Sequence, residues 1–197
     1  MKGGKILLGQ IVYDIFDIET IEKLKQLKNT IDGRIDSKKG RLIRPVSNID
    51  LLPKNVITIL DAKASEIYGK NLNLYAVAFG QYSKNFGQPK LPPHIDEVPS
   101  QFTIDYQLDG NVSWSIIIEG YEYTLKNNSI LTFEGEHVLH WRPKKDFHDD
   151  EFLDLMWFQF RDKNHWSYKT DIRPDFKEYK KLFKEKMDIW ESVYNGI

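Results

Sequence analysis

A histidine and an aspartate two positions apart are the first residues of this chain that could do chemistry. They lie in the segment Leu91-Pro92-Pro93-His94-Ile95-Asp96. Side chains at alternate positions of an extended chain project to the same face, so His94 and Asp96 would present an imidazole and a carboxylate side by side. A chelating pair requires this arrangement. An isolated His-x-Asp sequence is more often a hydrogen-bonded loop, and further residues have to decide between the two interpretations.

A third candidate ligand, His140, lies in the downstream segment that ends His140-Trp141-Arg142-Pro143. Sites built from two histidines and one carboxylate bind one face of a non-haem iron and leave the other face open. The third ligand of such a site comes from a strand distant in sequence, and His140 stands where that strand would deliver it. The short runs between His94 and His140 suffice for the intervening turns of a jelly roll. Gly135 gives the chain freedom to bend before the site.

His137 competes with His140 for the same role. The offset of three residues places the two on opposite faces of an extended strand, so only one can point at a shared metal. His137 stays open as the alternative, because a bend at Gly135 would change the register. His148 and His165 lie in polar surroundings and are interpreted as surface residues.

Short apolar or alternating runs, separated by Asp-Gly, Glu-Gly and Asn-Asn turn signals, dominate the middle of the chain. They are Leu74 to Phe79, Phe102 to Leu108, Trp114 to Glu119, Tyr121 to Leu125, Ser129 to Phe133 and Phe152 to Phe160. Many short strands at close spacing are typical of a sandwich or barrel. The predicted fold class is therefore mainly β with flanking helices.

From Tyr82 to Phe160 the chain resembles the 2-oxoglutarate- and Fe(II)-dependent dioxygenases, particularly the prolyl-hydroxylase-like branch and its short phage and bacterial relatives. The matching elements are Gly80-Gln81-Tyr82, His94-Ile95-Asp96, the strand Phe102 to Leu108, Phe133-x-Gly135, His140-Trp141-Arg142 and a strand ending in Trp157-Phe158-Gln159-Phe160. The match covers less than half of the chain but includes the whole candidate site. The resemblance implies a double-stranded β-helix, a jelly-roll or cupin-like fold.

The same resemblance implies Fe(II) and 2-oxoglutarate as cofactors, with His94, Asp96 and His140 as the metal ligands. It also implies that Tyr82 hydrogen-bonds a carboxylate of 2-oxoglutarate, whereas simple packing in the sheet is the alternative for this aromatic side chain.

One departure from the pattern concerns the basic residue that usually anchors the far carboxylate of 2-oxoglutarate. It would lie on the strand Phe152 to Phe160, which contains no Lys or Arg. We expect Arg142 to take this role, with Lys144 and Lys145 as alternatives. A guanidinium grips a carboxylate through two parallel hydrogen bonds. A surface salt bridge to Asp146, Asp149 or Asp150 is the competing interpretation of Arg142.

The flanking regions are predicted to support this core. Ile6 to Phe16 indicates a strand, Glu19 to Ile31 and Leu51 to Leu72 indicate helices, and the polar stretch Asp32 to Arg44 is the best candidate for a mobile loop. A last helix, Pro174 to Tyr194, is expected to pack on the outside of a sheet, and a dimerisation helix is the alternative. Its apolar stripe comprises Phe176, Tyr179, Phe183, Met187, Trp190 and Tyr194.

The length of 197 residues favours one domain: residues 1–72 as N-terminal support, 73–162 as the jelly-roll core and 174–194 as the C-terminal helix. The 28 basic and 29 acidic residues give a formal charge of -1, which argues against non-specific binding to nucleic acid. The absence of cysteine excludes thiolate sites and disulfides and fits a cytoplasmic protein. No segment predicts a membrane span.

The resemblance implies an oxygenase that hydroxylates an unidentified substrate, either a peptide or a small molecule, with peptidyl hydroxylation as the first expectation. Two rival functions stay open. One is a cupin-like barrel that binds a metal without 2-oxoglutarate chemistry. The other is a β-sandwich binding module in which His94 and His140 only pack. The loop Ser83 to Leu91 is interpreted as a surface loop, with a lid over the site as the alternative.

Overall fold

The computed structural model describes residues 9–69, 71–96, 100–164 and 176–193, and within the last helix the side chains of residues 180–193. In chain order the strands are β1 (Gln10–Tyr13), β2 (Arg34–Asp36), β3 (Arg41–Pro45), β4 (Leu72–Ser83), β5 (Leu91–His94), β6 (Phe102–Gly110), β7 (Ile116–Ile118), β8 (Tyr121–Tyr123), β9 (Ser129–Phe133), β10 (His140–Arg142) and β11 (Phe152–Asp162). The helices are α1 (Ile18–Thr30), α2 (Lys54–Tyr68) and α3 (Phe176–Val193). Two short 3₁₀ turns, Ile49–Leu51 and Lys84–Phe86, connect them.

The strands form two antiparallel sheets within the described residues. The larger sheet has the order β1-β9-β6-β11-β4-β3-β2, and the smaller has the order β5-β10-β7-β8. The long central strands β4, β6 and β11 hold the larger sheet together, because β11 pairs with β4 along its whole length and with β6 on its other side. Two facing sheets of alternating inward and outward residues form the jelly roll that the sequence predicted.

The outer face of the larger sheet carries the main hydrophobic core. Helices α1 and α2 cover it with Leu24, Val56 and Leu60, which pack among sheet residues such as Ile104 and Phe158. The predicted apolar stripe of α1 is confirmed, since Ile21, Leu24, Leu27 and Ile31 all belong to this core. The opposite, inner face of the larger sheet lines the candidate functional site.

Helix α3 covers the outer face of the smaller sheet. Its side chains Leu182, Phe183, Met187 and Trp190 pack against Ile95, Leu139 and Trp141. The predicted packing of the C-terminal helix on a sheet is thereby confirmed for Phe183, Met187 and Trp190. The side chains of Phe176 and Tyr179, and all of Tyr194, lie outside the described residues.

The ends of α1 and α2 follow local capping chemistry. The carboxylate of Asp17 accepts a hydrogen bond from Thr20 N at 2.7 Å and caps the start of α1. Gly69 ends α2 with φ of 60°, a left-handed conformation that glycine adopts without strain. The sequence predicted helix from Leu51 to Leu72, whereas α2 begins later and ends earlier. Pro53 precedes its first turn, and Leu72 already begins β4.

The prediction of a mobile loop at Asp32 to Arg44 is wrong. The segment forms the hairpin β2–β3, and β3 pairs with β4 so that Arg41 stands opposite Tyr82. The connection from Ser83 to Leu91 packs against this hairpin: Lys90 N donates to Lys39 O at 3.2 Å. The hairpin is polar because it forms one edge of the sheet, where side chains meet solvent.

None of the helices in the described residues combines the length and the hydrophobicity needed to cross a bilayer.

Candidate metal centre

His94 and His140 lie opposite each other on neighbouring strands. They are direct partners in the antiparallel pairing of β5 with β10, so both side chains leave the same face of the smaller sheet. Their ring centroids are 4.2 Å apart. Their neighbours Ile95, Leu139 and Trp141 point the other way, toward α3. Strand alternation therefore places the two imidazoles inside the jelly roll.

Asp96 follows the end of β5 and is fixed by its backbone. Its N–H donates to Gly135 O at 2.8 Å, which ties the segment to the turn before β10. Its Oδ2 atom accepts a hydrogen bond from the hydroxyl of Thr103 on β6. Gly135 is needed here for space rather than for bending, because a Cβ at this position would lie 2.1 Å from Asp96 Oδ2. The expectation that Gly135 supplies conformational freedom is corrected accordingly.

The three side chains present their ligating atoms to one point. Asp96 Oδ1 lies 3.8 Å from His94 Nε2 and 3.5 Å from His140 Nε2, and all three ligating atoms lie within 4.8 Å of one another. In each histidine Nδ1 bonds a backbone carbonyl two residues back, Pro92 O at 2.9 Å and Val138 O at 3.0 Å. Donation from Nδ1 leaves Nε2 with its lone pair, which is the form that binds a metal.

The electrostatics of the group suit a cation. Burial lowers the pKa of His94, and the neighbouring His140 lowers it further. Burial would raise the pKa of Asp96, but the two histidines and Thr103 outweigh it and hold this pKa below its usual value. Burial would lower the pKa of His140, but Asp96 outweighs it and raises this pKa. A metal ion would take the place of the proton that the carboxylate otherwise favours on His140.

A cavity of about 320 Å³ opens beside the three side chains. The polar part of its wall contains Arg41, Thr103, Asp105 and Gln159 in addition to the three side chains of the metal group. The apolar part contains Ile43, Pro45, Ala76, Val77, Ala78, Leu91, Ile116, Phe133 and Trp157. A small apolar cavity with a few converging polar groups is the usual form of a small-molecule site.

Arg142 is buried inside the jelly roll, which excludes the surface salt bridges to Asp146, Asp149 or Asp150. Its Nη1 donates to Trp114 O at 2.6 Å, and its Nη2 lies 3.6 Å from Asp105 Oδ2. Burial raises the pKa of Asp105 to about 6, against the lowering effect of Arg142. Arg142 thus stands behind Asp105, and of the two it is Asp105 that lines the cavity.

Tyr82 is fully buried on β4, and its hydroxyl accepts a hydrogen bond from Arg41 Nη1 at 3.2 Å. Sequence reasoning missed Arg41, because it lies in the polar stretch that was interpreted as a loop. The alternation Arg41, Ile43, Pro45 along β3, which brings all three to the cavity wall, was the available signal.

The other candidates lie away from the centre. His137 is half exposed in the turn before β10, with Nδ1 3.9 Å from Glu134 Oε2. Lys144 is exposed, and Lys145 donates to Ser113 O. His148 is exposed. His165 lies outside the described residues.

Comparisons with known proteins support this description. No protein-family model matches the chain, and no curated protein matches it significantly. Solved structures do match its fold. An oxidoreductase of the 2OG-Fe(II) oxygenase family from Burkholderia pseudomallei has a TM-score of 0.60 at 11% identity, covering 78% of this chain and 85% of that chain.

Two further structures are similar. HygX from Streptomyces hygroscopicus, with nickel, 2-oxoglutarate and hygromycin B bound, has a TM-score of 0.64 at 8% identity, covering 80% of this chain and 84% of that one. A prolyl-4-hydroxylase from Pseudomonas putida has a TM-score of 0.56 at 11% identity, covering 78% and 92%. The chain therefore has the double-stranded β-helix fold of the 2-oxoglutarate- and Fe(II)-dependent oxygenases.

Proposed function

We propose that the protein is an Fe(II)- and 2-oxoglutarate-dependent oxygenase in which His94, Asp96 and His140 hold the iron. The observation that carries the proposal is the convergence of two Nε2 atoms and one carboxylate oxygen on the inner face of a double-stranded β-helix. This donor set, two imidazoles and a carboxylate on one side of a cavity, is the set that non-haem iron oxygenases use.

When bound, iron and 2-oxoglutarate supply the oxidising chemistry with O₂, forming succinate and carbon dioxide. The residues of this chain would orient the metal ligands and shield the reacting atoms from water. Thr103 holds the Asp96 carboxylate, and the Nδ1 hydrogen bonds hold both imidazoles. The apolar wall that contains Phe133 and Trp157 limits the access of water to the reacting atoms.

Arg142 and Tyr82 are proposed to contact the far carboxylate of 2-oxoglutarate. Arg142 Nη2 is buried and lies 3.6 Å from Asp105 Oδ2, close enough for an ion pair but beyond hydrogen-bond distance. A buried N–H without a partner is costly, and a carboxylate oxygen would satisfy it. The contact needs a shift of Asp105, which lies between Arg142 and the cavity.

For the substrate, the size of the cavity supports a peptidyl side chain. A volume of about 320 Å³ is at the small end of the range for ligand sites. With 2-oxoglutarate beside the iron, the remaining space suits one side chain, while the rest of a larger substrate stays outside. Hydroxylation of such a side chain is the proposed reaction.

A second candidate function is a metal-binding barrel without 2-oxoglutarate chemistry. The observation that favours it is the position of Asp105, whose carboxylate lies in the cavity wall and separates Arg142 from the space where a dianionic cosubstrate would have to bind. The binding experiment below distinguishes the two candidates.

The test is anaerobic addition of Fe(II) and then 2-oxoglutarate to the purified protein, followed by visible absorption. A weak charge-transfer band of the chelated keto acid is expected for the parent and for His137→Ala, and its loss for His140→Ala. If His137→Ala abolished the band and His140→Ala retained it, the distal ligand would be His137 and not His140. No band in the parent, with Fe(II) bound, would favour the metal-binding barrel. Succinate release without added substrate is the second measurement.

A further inference from the structure

We infer that Arg41, on the edge hairpin β2–β3, supplies the positive charge that binds the far carboxylate of the keto acid. The inference rests on the proposed function and concerns the basic anchor that was expected between Phe152 and Phe160. Between these two residues β11 has no basic residue. Arg161, the basic residue near the end of β11, stacks on the ring of Tyr75 and does not line the cavity, whereas Arg41 is the Lys or Arg that lines it within the described residues.

The geometry brings Arg41 to the inner face of the larger sheet. In the pairing of β3 with β4, Arg41 stands opposite Tyr82, so both side chains leave the same face. Arg41 Nη1 donates to the Tyr82 hydroxyl at 3.2 Å. Tyr82 does not itself line the cavity, so its hydroxyl holds the guanidinium of Arg41 from behind, on the side away from the cavity wall.

Trp157 supports the guanidinium from the other side. The carbon Cζ of Arg41 lies 5.3 Å from the centroid of the Trp157 ring, within cation–π range. The indole itself sits on Gly80, where an added Cβ would lie 2.0 Å from a ring atom. The absence of a side chain at position 80 therefore makes the room in which the ring can support Arg41.

The charges in the cavity distinguish Arg41 from Arg142. Arg142 faces Asp105, and the side chains of both are less than 5% exposed, so this pair is electrically matched in a water-poor interior. Arg41 Nε lies 3.4 Å from Asp36 Oδ2, but the side chain of Asp36 is 28% exposed. The side chain of Arg41 is 13% exposed, so water screens this pair more than it screens the pair of Arg142 with Asp105.

The charge count of the loaded site then calls for one more cation. An iron of charge +2 is balanced by Asp96 and the near carboxylate of the keto acid. The far carboxylate remains, and it would lie in a cavity where an unpaired charge is costly. Arg41 is placed to balance it, whereas Arg142 would contribute a hydrogen-bond donor without net charge.

The experiment compares two keto acids of five carbons, 2-oxoglutarate and 2-oxopentanoate, which has a methyl group in place of the far carboxylate. Their dissociation constants for the Fe(II)-loaded protein are measured anaerobically from the visible band. Arg41→Ala is expected to weaken the binding of 2-oxoglutarate by about ten- to hundredfold, because a charge-assisted contact is lost. The affinity for 2-oxopentanoate should not change. Arg41→Lys should have an intermediate affinity for 2-oxoglutarate, because lysine keeps the positive charge but cannot form two parallel hydrogen bonds with a carboxylate.

Arg34→Ala is the matched control, since it removes the same charge from the same hairpin at an exposed position. It should bind both keto acids as the parent does. Unchanged 2-oxoglutarate affinity in Arg41→Ala, or equal weakening of both keto acids, would overturn the role of Arg41 while the proposed function stands. No band in the parent with either keto acid would overturn both. Arg41→Gln carries the same expectation if the alanine variant does not fold.

Discussion

Replacement of Gly135 by alanine should disable the metal centre while leaving the fold in place. The added Cβ would lie 2.1 Å from Asp96 Oδ2 and 2.6 Å from Thr103 Oγ1. Contacts under 3.0 Å are essentially never seen for a Cβ, so the carboxylate oxygen must withdraw by about 0.9 Å. The backbone has little freedom to yield, because Gly135 O accepts from Asp96 N and Gly135 N donates to Phe133 O.

The magnitude follows from the tolerance of metal coordination. The displaced oxygen is Oδ2, and Oδ1, which faces the two histidines, belongs to the same rigid carboxylate and must move with it. Ligand distances in metal sites hold to about 0.2 Å, so a displacement of this size disturbs coordination. We expect Gly135→Ala to weaken binding of Fe(II) at least about a hundredfold, or about 2.8 kcal/mol. An anaerobic titration with Fe(II), checked with Co(II), measures the affinity. Thermal unfolding without metal measures the stability of the fold.

Gly69→Ala is the matched control. It makes the same chemical change at φ of 60° with no atom within 4 Å of the new Cβ. This variant should lose about 1 to 2 kcal/mol of stability through backbone strain and keep the parent affinity for metal. If Gly135→Ala bound Fe(II) as tightly as the parent, the close approach of Gly135 to Asp96 would not be what positions the ligand.

Three further predictions concern single side chains. Thr103→Val should weaken metal binding about ten- to hundredfold because Asp96 loses the hydroxyl that orients it, while Thr103→Ser should bind as the parent does in the same titration. Lys28→Ala should lower the free energy of unfolding, measured in urea, by about 3 to 5 kcal/mol, because it leaves the buried carboxylate of Asp154 without its partner. A variant as stable as the parent would refute this. Burial raises the pKa of Glu136 to about 7, so the folded state holds its proton more tightly than the unfolded chain does. Stability should therefore fall as pH rises from about 4.5 to 7, and Glu136→Gln should be more stable than the parent at pH 8 but not at pH 4, as measured by the urea midpoint.

The sequence predicted the strands that carry many apolar residues. The runs around β6, β9 and β11 were found because their side chains pack on both faces, and this leaves a clear hydrophobic pattern. The run containing β7 was predicted longer than the strand itself, which is Ile116–Ile118. Such differences arise because apolar character continues past the last ladder hydrogen bond.

The strands that carry the histidines were harder to recognise. β5 contains Pro92 and Pro93, which lack the N–H that a central strand needs. Among the strands that the structure describes, β10 is its one partner, and this edge position tolerates proline. β10 has three residues, too few for a periodic pattern. Spacing suggested that His94 and His140 share a site, but their direct pairing depends on tertiary structure.

Pairing of buried charges also lay beyond the sequence. Asp105 occurs in an apolar run, and no local pattern connects it with Arg142 on β10. The expectation that Arg142 enters the cavity beside His140 assumed a regular strand. The pairing of β10 with β5 shifts register between His140 and Arg142. A shift of this kind re-aims the following side chain.

Strand β10 and the residue before it, Leu139, contact two neighbours: the cavity on one face and α3 on the other. His140 faces the cavity, whereas Leu139 and Trp141 face α3, and the ring of Trp190 meets that of Trp141 edge to face. Glu119 adds a polar link by accepting from Leu139 N at 2.7 Å and from Lys186 Nζ. The C-terminal helix therefore packs against the back of the strand that carries His140. A truncated chain that stops before α3 would keep every ligand in its sequence and yet hold His140 on a strand with one bare, water-exposed face.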